Sequence, residues 1–233
     1  MRLTRIYTPQ NLAKEEEFIL SGEGANHLLK SMRLGVGDKF VTFDGSGAEY
    51  LSQVESIEKK ASLRASILKR TFPQCELSVY VRICLACVKG ERFDWAVEKL
   101  TELGVSEIVP IVSRYTQVEG LSAHKLERCR RLIIEAAQQC GRVKLPSIEP
   151  SLSFQEALLS YSNRGGKIIL FQPHNPPFTP DPSVLEYTIF IGPEGGFSEE
   201  ELSLAAELCQ FWGLGECVLR VETAALVAMA KFI

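Results

Sequence analysis

Along the first third of the chain, apolar positions come in short alternating runs; beyond it they recur at helical spacing between β-like runs. Phe40-Val41-Thr42-Phe43 leads into Asp44-Gly45-Ser46-Gly47 and then 48–54, which predicts a hairpin closed by a Gly/Asp turn. A loose alternation over 61–68 predicts another strand, and 27–32 a short helix. These elements predict a small β-barrel, with Pro73 punctuating its end. From about residue 76 the pattern changes. A strand is expected over 77–88 and a helix over 93–103, with Phe93, Ala96, Val97 and Leu100 on one face and Gly104 as its stop. A buried strand follows at 108–112, then a long helix over 125–140 ending at Gly141. Ser153 with Glu156, and Ser198 with Glu201, have capping-box spacing and should open helices over 154–160 and 198–210. Lys167–Phe171, 187–191 and 216–219 are expected strands, and 222–233 a final helix. Strands alternating with helices predict an α/β domain with a mainly parallel sheet covered on both faces. The proline-rich stretch 173–182 is expected to be an exposed loop or linker.

Length allows this two-part organisation, 1–72 and 73–233, within 233 residues. No apolar run reaches the ~18–20 residues of a membrane helix, and no signal-type apolar region follows the basic start. Seven scattered cysteines predict reduced thiols in a cytoplasm, not a disulfide framework. The one C-x-x-C, Cys84 to Cys87, lies in an apolar strand without a second ligand pair, and His27, His124 and His174 are far apart, so no metal site is expected.

Chemistry is expected where strands end. Ile189-Phe190-Ile191 runs straight into Gly192-Pro193-Glu194-Gly195-Gly196-Phe197 and then a helix. Parallel α/β folds bind ligands at the carboxyl ends of their strands, and glycines allow close backbone approach. The turn lacks the Gly-Lys-Ser/Thr of a phosphate loop and the G-x-G-x-x-G of a dinucleotide fold. Leu214-Gly215 through Leu219 ends in a polar cluster, Arg220, Glu222 and Thr223. Phe171-Gln172-Pro173 marks a third strand end. Glu135-Ala136-Ala137-Gln138-Gln139-Cys140-Gly141-Arg142 is a polar helix end followed by an arginine.

These pieces, with Lys89-Gly90 and Lys99-Leu100-Thr101-Glu102-Leu103-Gly104-Val105, resemble in order the SPOUT-class 16S rRNA uracil-N3 methyltransferases, the ribosomal RNA small subunit methyltransferase E family. The likeness spans nearly the whole chain. It implies a PUA-like, RNA-binding β-barrel at the N-terminus, and a C-terminal SPOUT domain with a trefoil knot. It implies S-adenosylmethionine as cofactor, without metal, and active sites at a homodimer interface. The implied cofactor walls are Phe171; Ile191, Gly192, Pro193, Gly195 and Gly196; and Leu214, Gly215, Val218, Leu219 and Thr223. Arg142 and Arg220 are the implied uracil or phosphate contacts, and Glu194, Glu102 and Glu222 the orienting or basic groups. Where the family usually has a serine, this chain has Cys140. It also departs at 115–119 and at Glu216, which bears on local RNA contacts. A SPOUT enzyme acting on tRNA or 23S rRNA, and a non-catalytic RNA-binding protein, are the alternatives.

The net charge of −3 argues, taken alone, against a nucleic-acid partner. Its distribution changes that. Residues 114–144 hold 7 basic and 3 acidic residues, whereas 181–222 hold 1 basic and 9 acidic. RNA needs positive charge on one face, not a positive total. A divided surface is expected, with the barrel and 114–144 toward the small-subunit RNA.

Overall fold

The computed structural model describes residues 3–58 and 62–233. The chain forms two compact units. One runs to Glu76 and also holds Ala137–Leu145; the other holds Leu77–Ala136 and Pro146–Ile233.

In the first unit, β1 (Arg5–Tyr7), β2 (Glu17–Leu20), β3 (Lys39–Phe43), β4 (Glu49–Glu58) and β5 (Ser62–Thr71) form one sheet in the order β1-β3-β4-β5-β2. The expected hairpin is β3–β4, antiparallel with Phe43 opposite Glu49. The strand expected over 61–68 is β5, which runs on to Thr71; Ala61 lies outside the described residues. Alternation along β4 turns Tyr50, Ser52 and Val54 inward. They meet Phe18, Leu20, Phe40 and Leu63 in a buried core. Register shifts at Leu51/Ser52 and Val54/Ser56 bend the long β4–β5 ribbon toward closure. The expected short helix begins earlier, as α1 (Gly22–Asn26), and continues through a wide turn to Ser31. Phe43 packs with Ala137 and Val143 in a smaller second cluster, which is why 137–145 belongs to this unit.

The second unit alternates as expected: β6 (Tyr80–Ala86), α2 (Arg92–Glu102), β7 (Glu107–Val112), α3 (Ala123–Cys140), β8 (Ser147–Ile148), β9 (Leu152–Ser153), α4 (Phe154–Ser162), β10 (Lys167–Phe171), β11 (Glu186–Ile191), α5 (Glu199–Ala206), β12 (Gln210–Trp212) and α6 (Val221–Met229). The described pairings are all parallel, in the order β12-β10-β11-β6-β7-β8, with β9 beside the end of β7. Strands β6 and β11 are buried almost throughout, the mark of a sheet covered on both faces. Both expected capping boxes form. The Ser153 and Ser198 hydroxyls accept the Glu156 and Glu201 amides, and each glutamate accepts its serine's amide in return.

Three expectations fail here, for one shared reason. The helix expected to run to residue 210 stops at Ala206, and Gln210–Trp212 form an edge strand paired with Ile169, Leu170 and Phe171 of β10. The strand expected at 216–219 is instead irregular, and 215–218 are exposed. Residues 173–182 are not simply an exposed loop. Phe178 is buried, with its ring against Phe171, Tyr187, Trp212 and Phe232. The loop reaches the new strand through Gly213, which donates to the Pro176 carbonyl and accepts from the Phe178 amide. A Cβ on Gly213 would come within 2.2 Å of the Asn175 carbonyl oxygen. The aromatic contacts draw Gln210–Trp212 into the sheet, and the segment after it is left to line a cleft.

The opposite, amino ends of the strands are tied together. Arg82 donates through Nε to Glu107 (2.7 Å), and through Nη1 to Glu186 (3.0 Å) and Thr188 (2.8 Å). Glu107 also accepts the hydroxyls of Tyr80 (2.9 Å) and Tyr161 (3.0 Å), so among the described residues no fully buried side-chain atom of this cluster lacks a partner. All four cysteines at 84, 87, 129 and 209 are free thiols, and burial pushes each one up, Cys87 and Cys129 to about 11 and Cys209 to about 12. Among the described residues no helix is long and apolar enough to cross a membrane, and no group of three His, Cys, Asp or Glu side chains could hold a metal ion.

Candidate functional site

At the carboxyl ends of β10 and β11 the second unit opens into a cleft. Its walls come from three segments: Phe171-Gln172-Pro173, the turn 191–197, and 214–224, which enters α6. Adjacent parallel strands diverge into loops at this end, which creates the space. The turn after β11 is held by the Gly196 amide donating to the Pro193 carbonyl (2.8 Å). Gly192 is fixed by packing, since a Cβ there would lie 2.9 Å from the Phe197 ring, which itself packs tilted against Phe154 with centroids 4.8 Å apart. Gly196 and Gly215 have a different reason. They have φ of +71° and +138°, and a Cβ on either would meet nothing within 4 Å. They face open space, and they leave backbone groups uncovered for a ligand.

Of the residues expected as cofactor walls, Phe171, Ile191, Gly192, Pro193, Gly196, Leu214, Gly215, Val218 and Leu219 line this one cleft. Gly195 and Thr223 do not. Gly195 packs against Tyr115, whose Cβ would stand 2.9 Å from an added methyl. Thr223 lies on the first turn of α6, between the lining residues Val221 and Ala224. Cys217, Val221 and Ala224 were not singled out from the sequence. Cys217 follows from the exposed irregular segment, and the other two from the face that α6 turns to the cleft.

The expected catalytic groups separate. Glu194 lines the cleft, and Arg92 at the start of α2 donates to it (2.5 Å). Burial opposes its ionisation, but its own backbone amide and Arg92 outweigh that and hold the carboxyl below its ordinary value. Glu102 is engaged by Lys99 (2.8 Å) at the end of α2. Arg220 is exposed at the N-cap of α6. Glu222, in the first turn of that helix beside the lining residue Val221 and not itself on the lining, is buried, and its Oε2 has no hydrogen-bond partner among the described residues. A buried unpaired carboxylate oxygen costs stability and calls for a reason beyond packing. Arg142 belongs to the first unit. Its Nε and Nη2 donate to Glu76 (3.0 and 2.8 Å), whose other oxygen accepts the Val143 and Lys144 amides. Its guanidinium therefore organises the 142–144 turn.

Known proteins share both units. An RNA methyltransferase domain matches residues 75–233, and an RNA methyltransferase PUA domain matches 20–64. The chain is 30% identical to the ribosomal RNA small subunit methyltransferase E of Rickettsia conorii, over 99% of this chain and 95% of that protein. It is 28% identical to the Bacillus subtilis protein of the same name, over 96% and 92%. The crystal structure of ribosomal RNA small subunit methyltransferase E from Neisseria gonorrhoeae, bound to S-adenosyl methionine, matches with a TM-score of 0.89 at 29% identity, over 98% of this chain and 96% of that one. The first unit is thus PUA-like, the second a methyltransferase fold, and the chain belongs to the ribosomal RNA small subunit methyltransferase E family of RNA methyltransferases.

Proposed function

We propose that this protein transfers a methyl group from S-adenosylmethionine to N3 of a uridine in the 16S rRNA of the small ribosomal subunit, as a cytoplasmic homodimer. The observation that carries the reading is the cleft. In a chain of this family, three strand-end segments converge on one glycine-walled, largely apolar space. These walls suit the cofactor. Phe171, Ile191, Leu214 and Leu219 offer apolar surface to an adenine ring, and Gly196 and Gly215 leave space and bare backbone for its polar edges. The ionised Glu194 suits a ligand that carries positive charge. When bound, the cofactor supplies a methyl group already activated on a sulfonium, so the protein's main task is alignment.

Uracil N3 carries a proton that must leave before or during attack. Glu194 is held by Arg92 and Glu102 by Lys99, whereas Glu222 has an oxygen without a donor. We assign proton acceptance to Glu222, and contact with the uracil or its phosphate to the exposed Arg220. N3 lies on the Watson–Crick edge, so the base must be unpaired or flipped to reach the cleft. Arg142, engaged by Glu76, is assigned a positioning role. The exposed Val218 on the cleft wall supports a second copy as its cover, and the family resemblance further implies the trefoil knot.

The test uses the full-length protein with labelled cofactor and, separately, small subunits, naked 16S rRNA and tRNA, followed by primer extension. Methylation at N3 blocks pairing, so reverse transcription should stop beside one 16S uridine. Label in tRNA with no ribosomal stop would overturn the substrate; absence of cofactor binding would overturn the enzyme. Glu222→Gln should keep cofactor affinity and lose about 10²-fold or more in turnover.

A further inference from the structure

A second basin in the α/β unit lies apart from the cleft walls, between the turn after β6 and the start of α3. It holds three cations, Lys89, Lys125 and Arg128, against two acids, Glu91 and Asp94. Asp94, on the first turn of α2, is buried. It binds two cations at once: Lys125 Nζ at 2.7 Å and Arg128 Nε at 2.7 Å. Lys125 also donates to the Gly90 carbonyl (3.3 Å), joining the two walls. Burial opposes ionisation of Asp94, yet Lys125 and Arg128 hold its carboxyl below the ordinary value.

Neutralising one buried carboxylate needs one cation; here there are two, with a third beside them. Arg128 spends only Nε on Asp94, so among the described residues Nη1 and Nη2 have no protein partner. Lys89 is exposed and forms no ion pair among the described residues. Arg131, exposed one turn further along α3, continues the positive line. Two free guanidinium nitrogens in a fixed fork match two oxygens of one phosphate, and a lysine adds a point charge. The brace from Asp94 removes rotamer freedom from Arg128 and Lys125 before any ligand arrives, which lowers the entropy lost on binding.

We propose that this basin grips a backbone phosphate of the RNA substrate, with Arg128 Nη1 and Nη2 and Lys89 Nζ as donors and Asp94 as the positioning residue behind them. The proposal rests on the RNA-methylating reading above, and it gives the basic 114–144 region a defined contact.

Binding of a 16S rRNA transcript to the full-length protein is measured between about 50 and 200 mM KCl, with cofactor affinity and methylation kinetics alongside. Lys89→Ala and Arg128→Ala should each weaken RNA binding about 3–10-fold and reduce the salt slope by about 1. KM for RNA should rise with kcat and cofactor affinity little changed. Arg164→Ala, which removes an exposed cation over the Tyr161 ring outside the 114–144 region, should leave the slope as in the parent. An unchanged slope and KM in the Lys89→Ala/Arg128→Ala double variant, with normal cofactor affinity, would overturn the basin alone. An equal loss in Arg164→Ala would also overturn it, as a bulk charge effect. A parent protein that binds cofactor but neither binds nor methylates 16S rRNA would overturn the functional reading, and the basin with it.

Discussion

Replacing Glu107 with leucine should destabilise the α/β unit by about 3–5 kcal/mol, because it leaves the Arg82 guanidinium buried without its main counter-charge. The magnitude follows from how fully the network is enclosed. The Arg82 and Glu107 side chains are 4% and 6% exposed, too little for solvent to screen the remaining charge. Glu186, 31% exposed and bound to a different nitrogen, offers only partial replacement. Two tyrosine hydroxyls would lose their acceptor as well. For a chain of this length each kcal/mol moves the melting midpoint by ~2–4 °C, so the single variant should melt roughly 6–20 °C lower. The double variant Arg82→Met/Glu107→Leu should recover most of that loss, since a buried pair replaced by apolar groups is close to neutral. Calorimetry and urea titration measure both. Spectrophotometric titration gives an independent readout. Burial and the Glu107 contact push the Tyr80 phenol up to about 12, so it should ionise at lower pH in Glu107→Leu. A single variant within about 1 kcal/mol of the parent, or a double variant less stable than the single, would refute the reasoning.

Two further predictions separate neighbouring roles. Gly196→Val should cost about 1–3 kcal/mol of stability for its positive φ and, by placing a side chain in the cleft, lower cofactor affinity at least tenfold by calorimetry. Gly195→Ala should instead disturb packing on Tyr115 and change affinity much less; equal losses of affinity would show that both glycines face the ligand. Asp94 has a depressed carboxyl, so it stabilises the fold above its unfolded value near 3.8, and that stability is lost as pH falls through the lower folded value. The parent should therefore exceed Asp94→Asn in urea midpoint at pH 7 and lose that margin only as pH falls below about 3.8; a margin independent of pH would remove the ion pairs from the account.

The elements with their own local pattern were legible in the sequence. Serine and glutamate at capping-box spacing marked α4 and α5, and an apolar run ending at a glycine turn marked β11 and the cleft wall behind it. Elements formed by distant partners were not. Gln210–Trp212 carry no strand pattern of their own; they become a strand because Leu170 and Phe171 align with Phe211 and Trp212, and because Phe178 packs its ring against Trp212. The apolar Val218-Leu219 pair suggested a strand by composition, although its neighbours leave it on an open wall. The site was legible through its glycines, but the reason for each glycine was not. Gly195 and Gly196 read alike in sequence, yet one accommodates Tyr115 and the other faces the cleft.

The parallel sheet divides its work between its two ends. At the amino ends, each buried polar group of the Arg82–Glu107 cluster has a partner, and strands β6, β7 and β11 are locked in register. At the carboxyl ends, the described residues show the opposite: positive-φ glycines, an irregular wall over 215–218 and the unpaired Glu222 oxygen in the first turn of α6. A sequence selected only for stability would not keep a buried carboxylate oxygen unpaired in the first turn of a helix, where glutamine would fill the same space without charge. Such departures from local consistency are tolerated where the surrounding structure holds them and where an incoming ligand supplies the missing partner. The braced end gives the open end a rigid base, and a rigid base is what alignment of a methyl donor with an RNA acceptor requires.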